Sequence, residues 1–162
     1  MIDVWAPRAE RVRMRRPGHP DLEMTLGERG WWAAEVLLGD GEEYGFVLGD
    51  SDDLRPDPRS RRQPLGVHEA SAFFDAGAFS WTDVAWTGRQ LAGGLIYEMH
   101  VGTFSAGGTL TSAIEHLDEL VELGVDMVEV MPLNAFNGEY GWGYDGVAWF
   151  AVHEPYGGPD AF

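Results

Sequence analysis

The sequence predicts an all-β antiparallel sandwich over residues 1–90, followed over residues 91–162 by the opening of an α/β unit. Three observations carry this expectation. Short apolar stretches of period two alternate with turn signals through the first ninety residues. A strand–helix–strand pattern fits into the 39 residues from Leu95 to Leu133, the signature of a parallel βαβ unit. The charge changes at the same place: all eleven basic residues are arginines between Arg8 and Arg89, and residues 91–162 hold eleven acids and no Lys or Arg.

In the first part, "DVWAPRAERVRMRR" alternates Val4 and Ala6, then Val12 and Met14, with arginines between the latter. "WWAAEVLL" predicts a strand from Trp31 to Leu38, and "EYGFVLG" one with Tyr44, Phe46 and Leu48 on a single face. Pro17-Gly18, Gly27 to Gly30 and Gly39-Asp40-Gly41 separate them as turns. Strand side chains alternate between faces, so one of Trp31 and Trp32 is expected in the core. "RPDPRSRRQP", Arg55 to Pro64, is expected to be extended and irregular because of its prolines. The stretch Ala70 to Gly94 reads as a connector, whose Phe73, Phe74, Phe79, Trp81 and Trp86 are expected to staple it onto its neighbours.

In the second part, "LIYEMHV" predicts a strand over 95–101 and "GTFSAGG" a loop. "TLTSAIEHLDELVELG" places Ile114, Leu117, Leu120, Val121 and Leu123 at helical spacing, with Thr109 or Thr111 as N-cap and Gly124 at the C-terminal stop. "VDMVEVMPL" predicts a second strand closed by Pro132. The two strands should be parallel with a right-handed crossover. One such unit cannot cover both faces of its sheet, so further strands are expected on its flanks.

Bulk properties restrict the function classes. The apolar fraction of 44% is that of a folded globular chain. No apolar run approaches the roughly 20 residues of a membrane helix. The start, "MIDVWAPRAERV", shows no basic region leading into an apolar one, so no leader peptide is expected. The absence of cysteine excludes disulfides and thiolate metal sites and fits a cytoplasmic location. A formal charge of −16, with a cation-free second part, argues against a nucleic-acid partner. His and acidic residues are scattered without metal-ligand spacing, so neither a metal nor another cofactor is expected. His100, at the end of the first α/β strand next to Gly102, reads as a satisfied core histidine or, in a complete barrel, as a residue facing the active-site end, and His153 as the anchor of the "EPYGG" turn.

Four stretches, "VWAPRAERV", "LIYEMHVGTF", "ELGVDMVEVMPLNAFNGEYGWGYDGV" and "YGGPDAF", together resemble the malto-oligosyltrehalose trehalohydrolases of the α-amylase superfamily, glycoside hydrolase family thirteen. The resemblance runs over essentially all residues and is weakest from Pro17 to Asp53. It implies an N-terminal immunoglobulin-like sandwich (1–90, with its linker) followed by the start of a (β/α)8 TIM barrel (91–162: strand one, helix one, strand two and the loop after it). The implied parent hydrolyses the α-1,4 bond beside the terminal trehalose of malto-oligosyltrehalose, with retention, through an Asp nucleophile and a Glu acid/base. By the family's pattern both lie beyond Phe162, so the chain is expected to be an inactive N-terminal fragment whose partners are a malto-oligosaccharide and the rest of its own barrel.

Retaining hydrolysis needs two carboxyl groups about 5–5.5 Å apart. Glu98 and Glu129 read as mid-strand residues away from the catalytic end, and Asp145 has no second acid beside it in the sequence. What the resemblance does imply here is sugar positioning. The loops after barrel strands build the active site, and the loop after strand two carries Trp142, Tyr144 and Asp145. Tyr144 matches the superfamily tyrosine that stacks on the sugar just before the cleaved bond, or else packs under the loop. Trp142 lines the same pocket or braces the loop, and Asp145 accepts a sugar hydroxyl or forms an Asx turn with Gly146. Asn134 and Asn137 read as turn formers. "GWGYDG" lacks phosphate-loop spacing. Two rival readings stand beside this one: a glycogen branching or debranching relative, and a non-catalytic glucan-binding sandwich in which Trp31 and Trp32 meet the sugar.

Overall fold

A computed structural model of the chain describes all of residues 1–162. The first part holds seven strands: β1 (Ile2–Trp5), β2 (Val12–Arg15), β3 (Leu22–Glu23), β4 (Thr25–Leu26), β5 (Trp31–Ala34), β6 (Glu43–Leu48) and β7 (Ser71–Ala72). They form two antiparallel sheets, ordered β1-β5-β4 and β3-β2-β6-β7. The apolar alternation explains why the sheets meet. Val4 and Trp32 are register partners in one sheet, Met14 and Phe46 in the other, and all four belong to a single buried cluster. Met24 lies between β3 and β4, where the chain leaves one sheet for the other; it is buried, and its amide donates to Val12 O at 3.0 Å.

Of the tryptophan pair, Trp32 is the core residue, its indole donating to the Ala6 carbonyl at 3.1 Å, while Trp31 is half-buried beneath the Arg59 guanidinium. The arginines of β2 pair within the sheet's own edge. Asp21 accepts from Arg13 and Arg15 at 2.8–2.9 Å, and Arg11 pairs with Glu23. These partners hold the Asp21 and Glu23 carboxyl groups below their ordinary values.

Three expectations for this part are corrected. The strand at Trp31 ends at Ala34 rather than Leu38, because the amide of Val36 turns back to the Ala34 carbonyl. Leu48 is exposed and Val47 buried: on the side of β6 away from the sandwich core the Leu54 side chain packs against Gly45, while Arg55 pairs with Phe46 along the strand's edge. The connector aromatics divide. Phe73 packs on the sandwich core and Phe74 is half-buried, but Phe79, Trp81 and Trp86 are exposed, Phe79 and Trp81 packing on each other edge-to-face at 4.9 Å.

The segment 55–70 that leads into β7 is irregular, as its prolines require, but it is tightly held. Tyr44 donates to Asp57 at 2.6 Å, the Asp57 amide to Ser71 at 2.8 Å, and Ser71 to Gln63 at 2.5 Å, all out of solvent. Burial first, then the Asp57 carboxylate, pushes the Tyr44 phenol up. The same segment reaches the second part. Val67 joins Ala135, Ala148 and Ala151 in an apolar cluster, and Arg62 meets Glu154 and Asp160 at 3.4 and 2.6 Å.

The second part contains β8 (Ile96–Met99), α1 (Val101–Phe104), α2 (Leu110–Ile114), α3 (Leu117–Leu123), β9 (Met127–Val130), β10 (Asn134–Ala135), β11 (Ala148–Val152) and α4 (Gly158–Ala161). β8 and β9 are parallel, as expected of a βαβ unit. Thr109 caps α2 through a capping box with Ser112, and Gly124 closes α3. Two corrections apply. "GTFSAGG" is not all loop, since α1 occupies its start. The expected single helix is broken, because His116 leaves helical geometry (φ −107°, ψ 3°) between α2 and α3. Of the five apolar positions at helical spacing only Leu120 is buried; Ile114, Val121 and Leu123 are wide open. No helix is long and apolar enough to cross a membrane.

Candidate functional site

The C-terminal ends of β8 and β9 converge on one cleft. β8 runs directly into His100 and α1. After β9 the chain forms β10, makes a long excursion over residues 136–147, and returns as β11, antiparallel to β10. That excursion contains the aromatic–glycine loop. Its base is firm: Phe136 is buried and stacked on His153 at 3.8 Å, with Tyr156 edge-on to both rings. These join Met99, Val101 and Ala113 around a small core under the loop. Burial holds the His153 imidazole below its ordinary value, against a backbone hydrogen bond at Glu139 that acts the other way. Burial raises the Tyr156 phenol.

Gly143 sits under Pro132 with φ +81°, and a Cβ there would overlap the Pro132 carbonyl oxygen. The bulky neighbours on either side, Trp142 and Tyr144, are both exposed. Asp145 is exposed and makes no side-chain hydrogen bond. Asn134 opens β10 and packs against Gly146, and Asn137 follows Phe136 at the loop's start.

The cleft has a volume of about 720 Å³. One wall is nearly bare backbone, Gly102, Ala106, Gly107 and Gly108; the other is Glu139 to Trp142; His100, Thr103 and Tyr156 form its floor. Flat aromatic area and a carboxylate opposite glycine backbone, with hydroxyl and imidazole groups on the floor between, suit a hydroxylated ring that has apolar C–H faces. Of the three residues expected to meet sugar, Trp142 lines this cleft, while Tyr144 and Asp145 stand on the loop outside it. For His100 the sequence left two readings, a satisfied core histidine and one facing the active-site end. It is half-buried and hydrogen-bonded at both ring nitrogens, and it lines the cleft. Thr103, Glu139 and Tyr156 were not singled out; the available signal was "HVGT" at a strand's C-terminal end, where α/β sites form.

Glu98 and Glu129 are register partners on neighbouring strands, and they share the sheet face opposite the helices. Both are exposed. No group of three His, Asp or Glu is placed to hold a metal ion.

No family model matches the chain. Among curated proteins it is 53% identical over 163 residues to the malto-oligosyltrehalose trehalohydrolase of Arthrobacter ramosus, a match covering 98% of this chain and 28% of that protein. The 1,4-alpha-glucan branching enzyme of Corynebacterium jeikeium is 30% identical, over 98% of this chain and 24% of its own. A crystal structure described as a putative alpha amylase from Salmonella typhimurium superposes with a TM-score of 0.89 at 42% identity, over 98% of this chain and 27% of that one. A pullulanase from Anoxybacillus sp. complexed with maltotriose shares the fold at a TM-score of 0.76 and 22% identity, over 95% of this chain and 27% of that one. The chain thus spans little more than a quarter of the length of the relatives it matches.

Proposed function

We propose that this chain, a relative along nearly its whole length of the malto-oligosyltrehalose trehalohydrolases, forms the N-terminal sandwich, the first two strands of a (β/α)8 barrel and one sugar-facing loop of such an enzyme. In this reading residues 1–90 are the sandwich with its linker and residues 91–162 the opening of the barrel. The parent reaction is retaining hydrolysis of the α-1,4 bond next to the terminal trehalose of malto-oligosyltrehalose, in the cytoplasm. The observation that carries the reading is the cleft at the C-terminal ends of β8 and β9, with Trp142 on one wall and glycine backbone on the other. In a barrel this is the end where loops build the active site.

The division of labour follows from the carboxylates. The Asp nucleophile and the Glu acid/base are assigned to the remainder of the parent, and no residue of this chain is given a catalytic role. Glu98 and Glu129 face away from the helices, which in a closed barrel is the interior, below the catalytic end. Trp142, Tyr144 and Asp145 are the sugar contacts, Trp142 and Tyr144 by stacking and Asp145 by accepting a hydroxyl. The exposed Ile114, Val121, Leu123, Val128 and Val130 are the surfaces that further barrel strands and helices cover.

Incubating the 162-residue chain with malto-oligosyltrehalose should release no trehalose, while titration with maltotetraose should quench tryptophan fluorescence in the wild type and not in Trp142→Ala. Trehalose above the blank would overturn the assignment of the catalytic pair. Quenching that survives in Trp142→Ala and disappears in Trp31→Ala would favour a glucan-binding sandwich. The branching-enzyme alternative draws on the 30% identical relative; the product of the full-length protein, trehalose or a new branch, separates the two.

A further inference from the structure

We propose that His100 is a positioning residue, a lock that holds the carbonyl of Gly141 and thereby sets the Trp142 wall of the cleft. The sugar role of that wall rests on the function proposed above; the lock itself does not. A carbonyl oxygen can only accept. His100 Nε2 lies 2.8 Å from Gly141 O, so Nε2 carries a hydrogen and donates it. In the neutral ring Nδ1 is then bare, and Thr103 Oγ1, at 3.0 Å, donates to it. The Tyr156 hydroxyl donates to the same Gly141 carbonyl at 3.2 Å; it lies 3.1 Å from His100 Nε2, where its oxygen shares the ring hydrogen.

The arrangement joins residues far apart in the chain. His100 ends a strand, Gly141 lies 41 positions later in the loop, and Tyr156 comes from the turn after β11. Gly141 is pinned from its other side by the Phe136 ring, which a Cβ at 141 would approach to 3.1 Å. Trp142 follows immediately. It is 71% exposed and has no hydrogen bond of its own, so its backbone is what sets its place. The ring of His100 also touches the glycine wall, 3.0 Å from where a Cβ on Gly102 would stand. One imidazole therefore borders both walls.

Two measurements test this on the 162-residue chain. The first is the long-range proton–nitrogen spectrum of the His100 imidazole, assigned by its loss in His100→Gln. It should show the hydrogen on Nε2; a ring protonated on Nδ1 alone overturns the proposal. The second follows the Trp142 indole resonance, assigned with Trp142→Phe. His100→Ala should move it and weaken maltotetraose binding on the order of tenfold, the effect of one lost, partly buried hydrogen bond. His100→Gln, whose amide can still donate to Gly141, should restore both to within about twofold. A Trp142 resonance unmoved in His100→Ala overturns the lock. Should His100→Ala fail to fold, Tyr156→Phe decides. It removes one of the two donors to Gly141 and should move Trp142 in the same direction by less, and no movement overturns the proposal. If the wild-type chain binds no maltotetraose while Trp142 responds as stated, the sugar reading fails and the lock stands.

Discussion

Replacing Gly143 with alanine tests what shapes the aromatic loop. Two separate penalties act there. The backbone is left-handed, φ +81°, which costs a residue with a Cβ about 1–2 kcal/mol. The new methyl would also overlap the Pro132 carbonyl oxygen and lie 3.0 Å from its Cβ, and relieving such an overlap typically costs a further ~1–3 kcal/mol. Gly138, on the same loop, supplies the control: its φ is +97° but nothing lies within 4 Å of a Cβ placed there. Gly138→Ala therefore carries the conformational penalty alone. The assay is native-state hydrogen exchange of the Val147 amide, which closes the loop by donating to Ala135 O at 2.9 Å. Gly143→Ala should speed that exchange beyond Gly138→Ala by about 5- to 150-fold, the ratio corresponding to the extra ~1–3 kcal/mol. Equal acceleration in the two variants, within about twofold, would refute the claim that Pro132 packing shapes the loop.

Three further predictions follow from buried groups and neighbouring charges. Tyr44→Phe leaves the buried Asp57 without its 2.6 Å donor, and should lower unfolding stability by about 1–3 kcal/mol in urea titrations; a change below a few tenths would mean that water replaces the phenol. The fold holds His153 below its ordinary value, so as pH falls below about 6.5 the unfolded chain binds the proton first. Its contribution is complete above that pH and is lost as pH falls toward the depressed folded value. Tm should therefore drop from pH 7 to 5, and His153→Phe, which retains the stack on Phe136, should flatten the slope; an unchanged slope would assign it elsewhere. Asp21, Glu23 and Glu42 have lowered values and act at more acidic pH, so their effect does not overlap. Glu129→Gln removes one of two like charges on paired strand positions and should raise stability by a few tenths of a kcal/mol at low salt; loss of stability would show that the pair has an unrecognised compensating partner.

Much of the fold was legible because it depends on local chemistry. Alternation at Val12, Met14, Tyr44 and Phe46 marks one face of a sheet wherever that sheet sits, and these four residues are buried together. Thr109 and Gly124 end helices through their own hydrogen bonds and backbone freedom, and both do so here. The break at His116 and the burial of Val47 were not legible. The first is a departure from helical geometry inside an otherwise regular apolar spacing, and the second lies on the far face of β6, where a side chain from a later segment, Leu54, packs against Gly45. The aromatics of the connector misled for a related reason. A large apolar ring signals burial on average, but exposure is decided by what packs there, and Phe79 and Trp81 pack on each other yet stay exposed.

The sequence by itself determined the chemical character of the site region: a loop of aromatic rings spaced by glycines, after the second strand of a parallel pair, in a stretch without a cation. Spacing and residue type suffice for that, since each acts over a few positions. Only the tertiary structure decided which groups meet. It brings His100, Gly141 and Tyr156 within hydrogen-bonding distance from three separate segments, puts Trp142 on a cleft wall, and leaves Tyr144 and Asp145 outside it. It also pairs Glu98 with Glu129, a neighbourhood set by strand register rather than by sequence distance. The physical reason is that an acceptor or a charge has no identifiable partner until the backbone has closed, and here the closure depends on the parallel pairing of β8 with β9 and on the packing of Phe136 and His153 beneath the loop.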